Sequence, residues 1–105
     1  MSEVEIIVVA GLYQARSGKE AELAAVLSRY VVLSRSVTGV RNIDLVISAS
    51  TPGRFLVIEK WDDADAQRSH LDRDIMVTMA TQSAPLLTGA PDLELYDVIS
   101  AHDLA

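Results

Sequence analysis

Three features of the sequence predict an α+β fold with the element order β-α-β-β-α-β. Runs rich in β-branched residues lie near both ends and as a pair in the middle, and amphipathic helical stretches separate them. The central run "RFLVIEKW", Arg54 to Trp61, alternates: Phe55, Val57, Glu59 and Trp61 share one side, Leu56, Ile58 and Lys60 the other. Both sides begin apolar, whereas a sheet resting on one layer of helices needs only one apolar face.

The first strand is read over Val4 to Ala15, where no 3.6-residue period is visible. Ile7, Val9, Gly11 and Tyr13 fall on one face, Ile6, Val8, Ala10 and Leu12 on the other. "SGKE", Ser17 to Glu20, has capping-box spacing and predicts a helix start. Leu23, Val26, Leu27, Tyr30, Ser34 and Val37 then follow at helical spacing, with Gly39 as the expected stop. Two strands come next, about Arg41 to Ala49 and Arg54 to Trp61, joined by the turn residues "STPG". "WDDADAQRSHL" places acidic residues where a helix N-terminus favours them, so a short helix should reach Leu71. "DRD", Asp72 to Asp74, can cap a second piece whose apolar face is Ile75, Met76 and Met79 and whose end is marked by Pro85 and Leu86. After "TGAP" breaks the pattern, the last strand alternates over Asp92 to Ser100, and "AHDLA" is a polar tail.

This order is the split βαβ of ferredoxin-like folds. A right-handed crossover then gives a four-stranded antiparallel sheet with both helices on one face. The opposite face keeps an apolar row from the first strand and another from "RFLVI", more than a monomer usually leaves in water. A second copy of the sheet is the simplest cover. Burying ~800 Å² per subunit at roughly 25 cal/mol per Å² gives a gross term on the order of tens of kcal/mol before association costs. A homodimer joined through its sheet faces is therefore expected.

Composition narrows the function. The 105 residues are read as one domain, 1–105, and at 50% hydrophobic content they can bury a core. Nine basic against fifteen acidic residues, with no basic run, argue against a nucleic-acid partner. Cysteine is absent, which excludes disulfides, thiolate catalysis and zinc–thiolate sites. The start lacks a positively charged leader, and the longest apolar run is too short to span a bilayer, so a soluble cytoplasmic protein with no membrane partner is expected. "SGK" lacks the earlier glycine and the following Ser or Thr of a P-loop, and no nucleophile elbow or dinucleotide fingerprint is present.

"VVAGLYQARSGKEAEL", "PGRFLVIEKW", the following "SHL" and "APDLELYDV" together resemble the antibiotic biosynthesis monooxygenase family, a branch of the dimeric α+β barrels. The resemblance covers nearly the whole chain. It implies two sheets packed back to back and, in each subunit, a small pocket between sheet and helices. It also implies cofactor-free oxidation of a small aromatic substrate, a quinol or anthrone, by O2, since family members include such oxygenases. Relatives that degrade haem belong to the same group, as do proteins without known activity.

Oxygen reacts slowly with closed-shell molecules, so an enzyme without metal or flavin needs a substrate that gives up an electron once deprotonated, a base and a dry pocket. Histidine suits the base because its ordinary pKa lies near neutrality. His70 stands where the family writes a histidine before leucine, and is the candidate catalytic base; the bland alternative is a partly exposed helix histidine. His102 belongs to the polar tail. Trp61, Asn42, Tyr13 and Tyr30 are candidate substrate-binding residues, with core packing or sheet-edge solvation as the ordinary alternatives. Asp44 shares its face with Asn42. Glu59 is expected in a structural ion pair, for instance with an arginine across the dimer. No cofactor or metal is expected.

Departures from the family pattern limit the transfer. Ile43 replaces a tyrosine found in many members, and the places of the haem-degrading relatives' asparagine, tryptophan and histidine hold Gly11, His70 and Ala80. Haem breakdown is thereby disfavoured. Gly11 either leaves room for a ligand or marks a bulge. A non-catalytic dimer that binds a small apolar molecule is the competing reading, and a solvent-facing His70 would favour it.

Overall fold

The computed structural model describes residues 5–100. Val4 and His102, included in the expectations above, lie outside them. Strands β1 (Ile7–Gln14), β2 (Val40–Ile47), β3 (Arg54–Trp61) and β4 (Asp92–Asp97) form one sheet in the order β2-β3-β1-β4. Every pairing is antiparallel, and β1 and β3 lie at the centre. Helices α1 (Glu20–Ser34), α2 (Ala64–Leu71) and α3 (Asp74–Ser83) complete the ferredoxin-like arrangement. Among the described residues, no helix is long and apolar enough to cross a membrane.

The two central strands bury alternate residues as their sequence requires. Val9, Gly11 and Tyr13 of β1 and Phe55, Val57, Glu59 and Trp61 of β3 are buried, while the residues between them are half-buried or exposed. Leu23 and Leu27 of α1 are fully buried in the same core, with Tyr30 and Val31 of that helix and Met79 of α3. Complete burial of each leucine contributes about 1.5–3 kcal/mol relative to exposure.

Helix boundaries depart from the sequence expectation at both ends of α1. Ser17 is not the cap; instead the Gly18 N–H, at a φ of 85° that suits glycine, donates to the Glu20 carboxylate at 3.0 Å. At the far end α1 stops at Ser34, ahead of Gly39. The next residue, Arg35, reaches across and donates from Nε and Nη2 to the carbonyl of Ile43 at 3.1 and 3.0 Å, tying the helix end to β2. Gly39 serves the turn into β2: its φ is 91°, and a Cβ there would lie 2.6 Å from that of Ala66. Asp63 caps α2 by accepting from the Ala66 N–H at 2.8 Å. The last strand ends at Asp97 rather than Ser100 because Asp97 pairs with Ile7, the first residue of β1.

A candidate proton-transfer site between sheet and helices

Four elements aim side chains at one point. Alternation along β3 turns Glu59 and Trp61 to the helical side, and β1 contributes Val9, Gly11 and Tyr13 opposite them. Helical spacing from Leu23 through Leu27 puts Tyr30 on the buried stripe of α1, and the same spacing buries Gln67 and His70 on α2. Glu59 is 8% exposed, Tyr30 2%, His70 1% and Trp61 0%.

These groups are joined by hydrogen bonds. The Trp61 indole Nε1–H donates to Glu59 Oε1 at 2.9 Å, and the Tyr30 hydroxyl donates to Glu59 Oε2 at 2.6 Å. Tyr30 Oη also lies 2.9 Å from His70 Nε2. The His70 ring packs on Trp61, with centroids 4.6 Å apart, and on Tyr30 at 5.6 Å. Tyr30 has one proton, which the short contact assigns to the carboxylate; His70 must then donate Nε2–H to the tyrosine oxygen. Its Nδ1 is left as a lone pair, buried and without a hydrogen-bond partner.

Burial sets the proton affinities. It pushes the Glu59 carboxyl above the usual carboxylate range, although the hydrogen bonds from Tyr30 and Trp61 act the other way. Burial, reinforced by the Arg73 charge, lowers His70 from 6.5 to about 4. Tyr13 is pushed up to about 12 by burial and then by the Glu59 charge, and Tyr30 is raised by the same causes. Around neutral pH the site therefore holds a neutral histidine and two protonated tyrosines.

A cavity of about 140 Å³ opens beside this network, walled by Gly11, Tyr13, Tyr30, Glu59 and His70 and, on the apolar side, by Met76 and Leu93. A second cavity of about 350 Å³ adjoins it; Tyr13, Met76 and Leu93 belong to both walls. The first volume matches what one benzene ring occupies in an apolar protein cavity.

The sequence-derived candidates separate here. Tyr13, Tyr30 and His70 meet at the cavity. Trp61 stands behind its wall and acts on Glu59. Asn42 is not at the site: it pairs with Lys60, on the face away from the helices, and donates to Asp44 at 2.8 Å. The register shift between Val40 and Asn42 fixes that parity. Glu59 meets two neutral donors where a structural ion pair was expected, and His70 is enclosed rather than partly exposed. Gly11 sits in unbroken register and marks no bulge; a Cβ there would lie 2.9 Å from Leu93 Cδ2 and 3.0 Å from Tyr13 Cε1. Gln67 was missed, although its place three residues before His70 puts it on the same helical face. Ile43 is fully buried on the helical side of β2.

Among the described residues no cluster of three His, Asp or Glu side chains could hold a metal ion. Ala80, at the place read as the haem-degrading relatives' histidine, lies in the wall of the larger cavity and offers no ligand atom.

The structure is thus a ferredoxin-like domain with a mostly apolar cavity between sheet and helices, edged by titratable side chains. The chain belongs to the antibiotic biosynthesis monooxygenase family, whose model matches residues 6–82. Solved structures agree in fold. A candidate antibiotic biosynthesis monooxygenase from Nitrosomonas europaea superposes with a TM-score of 0.86 at 15% identity, covering 94% of both chains. The protein Rv0793 from Mycobacterium tuberculosis gives 0.87 at 21% identity over 92% of this chain and 98% of its own. A further candidate monooxygenase, from Caulobacter crescentus, gives 0.84 at 22% identity over 93% and 94%. No curated protein sequence is a significant match.

Proposed function

We propose that this protein is a cofactor-independent monooxygenase that oxidises a small aromatic quinol or anthrone-like substrate with O2, working as a homodimer in the cytoplasm. The observation that carries this reading is the unpartnered, buried Nδ1 of His70 in a residue that walls an apolar cavity of about 140 Å³, which shares Tyr13, Met76 and Leu93 with a second of about 350 Å³, so that the two together have room for a fused-ring substrate. An acidic O–H or C–H of the substrate would give its proton to that nitrogen. The resulting anion passes one electron to O2, and the radical pair collapses to a peroxide. For an anthrone, loss of water from the peroxide leaves a carbonyl: one oxygen atom stays in the product, the other leaves as water, and the former CH2 carbon is the one oxidised. The protein's part is to bind the ring, accept the proton and exclude water that would solvate the anion.

Homodimerisation is supported by the outer face of the sheet. Val8, Ala10, Leu12, Leu56 and Ile58 are only half-buried there, and Val46 and Tyr96 are 47% and 46% exposed. A second sheet would cover them.

Oxygen uptake with menadiol or anthrone is the test. His70→Ala should abolish it while circular dichroism stays unchanged. Unchanged rates in that variant would remove His70 from the mechanism, and no uptake by the wild type with either compound would remove the enzymatic reading.

A further inference from the structure

We propose that Glu59 is the final proton acceptor of the site, reached from the cavity through His70 and Tyr30. The proposal rests on the monooxygenase reading only for the source of the proton; the relay itself is a property of the ligand-free protein.

If the proton stayed on His70, substrate deprotonation would leave an imidazolium, which the Arg73 charge opposes, and a substrate anion beside the Glu59 carboxylate, all in a site shielded from water. Separated charges are costly in such surroundings. Transfer onward to Glu59 keeps the count at one negative charge, which moves from the carboxylate to the substrate. The hydrogen bonds provide the route. Nδ1 has no partner, Nε2 touches Tyr30 Oη at 2.9 Å, and Oη touches Glu59 Oε2 at 2.6 Å.

In the step, the substrate O–H or C–H bond breaks and an Nδ1–H bond forms. The Nε2 proton passes to Tyr30 Oη, and the proton that Tyr30 carried passes to Oε2. Three bonds to hydrogen break and three form, no electron changes hands, and His70 ends neutral in its other tautomer. The proton affinities point the same way, because burial depresses the imidazole and raises the carboxyl. Trp61 is a positioning residue in this scheme: its indole holds Oε1 and so turns Oε2 toward Tyr30.

Nitrogen-15 NMR of the histidines, at neutral pH and without ligand, tests the relay independently of turnover. Wild-type His70 should be neutral and carry its proton on Nε2. Glu59→Gln mimics the protonated acid. Trp61 would hold the amide oxygen, leaving the amide nitrogen to donate to Tyr30, which must in turn donate to Nε2, so the His70 proton should move to Nδ1. In Glu59→Gln/Tyr30→Phe the link is cut, and that enforced Nδ1–H tautomer should be lost. A wild-type His70 protonated on Nδ1 or on both nitrogens would overturn the proposal, as would a Glu59→Gln variant that keeps Nε2–H. If menadiol is oxidised, Glu59→Gln should slow it at least ~100-fold, the lower end of what a general base supplies, with menadiol affinity little changed. A wild-type rate in that variant would also overturn it. Absence of menadiol oxidation by the wild type would count against the monooxygenase reading alone, with the tautomers still deciding the relay.

Discussion

The two faces of the sheet are built from the same strands and put to opposite uses. On the helical face, Glu59 and Trp61 extend the apolar row of β3 into a network that includes Tyr30 and His70, all shielded from water. On the outer face, Leu56 and Ile58 alternate in sequence with Phe55, Val57 and Glu59, yet among the described residues no helix covers them, and the polar side chains Asn42 and Asp44 lie along the adjacent strand. The contrast teaches that polarity follows cover. Among Glu59, Trp61, Tyr30 and His70 every buried polar atom but His70 Nδ1 finds a partner, whereas the outer face carries apolar residues that the proposed dimer would cover.

The largest effect is expected on the helical side. Trp61→Ala removes a fully buried ring that also holds Glu59. It should cost about 3–5 kcal/mol in chemical denaturation, as large aromatic truncations do. On the outer face Ile58→Glu should leave the fold intact and convert the proposed dimer to monomer in sedimentation velocity; a dimer that persists would show that this face is not the interface.

Smaller effects sharpen the picture. Burial holds His70 near about 4 against 6.5 when free, so the unfolded chain takes up a proton that the fold refuses, and stability falls as pH drops through that interval. Glu59 has the opposite sign: its raised folded value lets the native state bind a proton before the unfolded state does. Glu59→Gln should therefore steepen the loss of stability between about pH 6.5 and about pH 4, measured by urea denaturation across that range. A slope equal to that of the wild type would mean that Glu59 is not raised. Gly11→Ala should displace Tyr13 or Leu93 by a few tenths of an ångström, lowering oxidation of menadiol more than it lowers the melting temperature. Asn42→Ala, on the far face, should change stability by less than about 0.5 kcal/mol and leave menadiol oxidation unaltered.

How far the sequence went depended on the range of the forces involved. β3 was legible to the residue because eight alternating side chains report their own burial. Tyr13, Tyr30 and His70 line one cavity; strand and helix periods assign each residue to a face, but His70 was singled out by the family resemblance and not by its spacing. The ends of α1 were less legible, since Arg35 stops the helix through a bond to Ile43, eight residues away in sequence and on another element. The side of β2 taken by Asn42 turned on one register shift that composition does not signal. Glu59 was hardest: a lone carboxylate at the end of an apolar row suggests a cation, and only the packed structure shows that a tyrosine and an indole take its place.

One part of the cavity wall differs from the rest. Leu93 and Leu95 belong to β4, which is laddered to β1 on one side and, among the described residues, has no strand on its other. Prying that strand away ruptures a single ladder, while opening the chamber through β3 would rupture two. Guest molecules and exchanging amide hydrogens should therefore share a doorway, and bound ligand should protect the amides of β4 before those of any other strand.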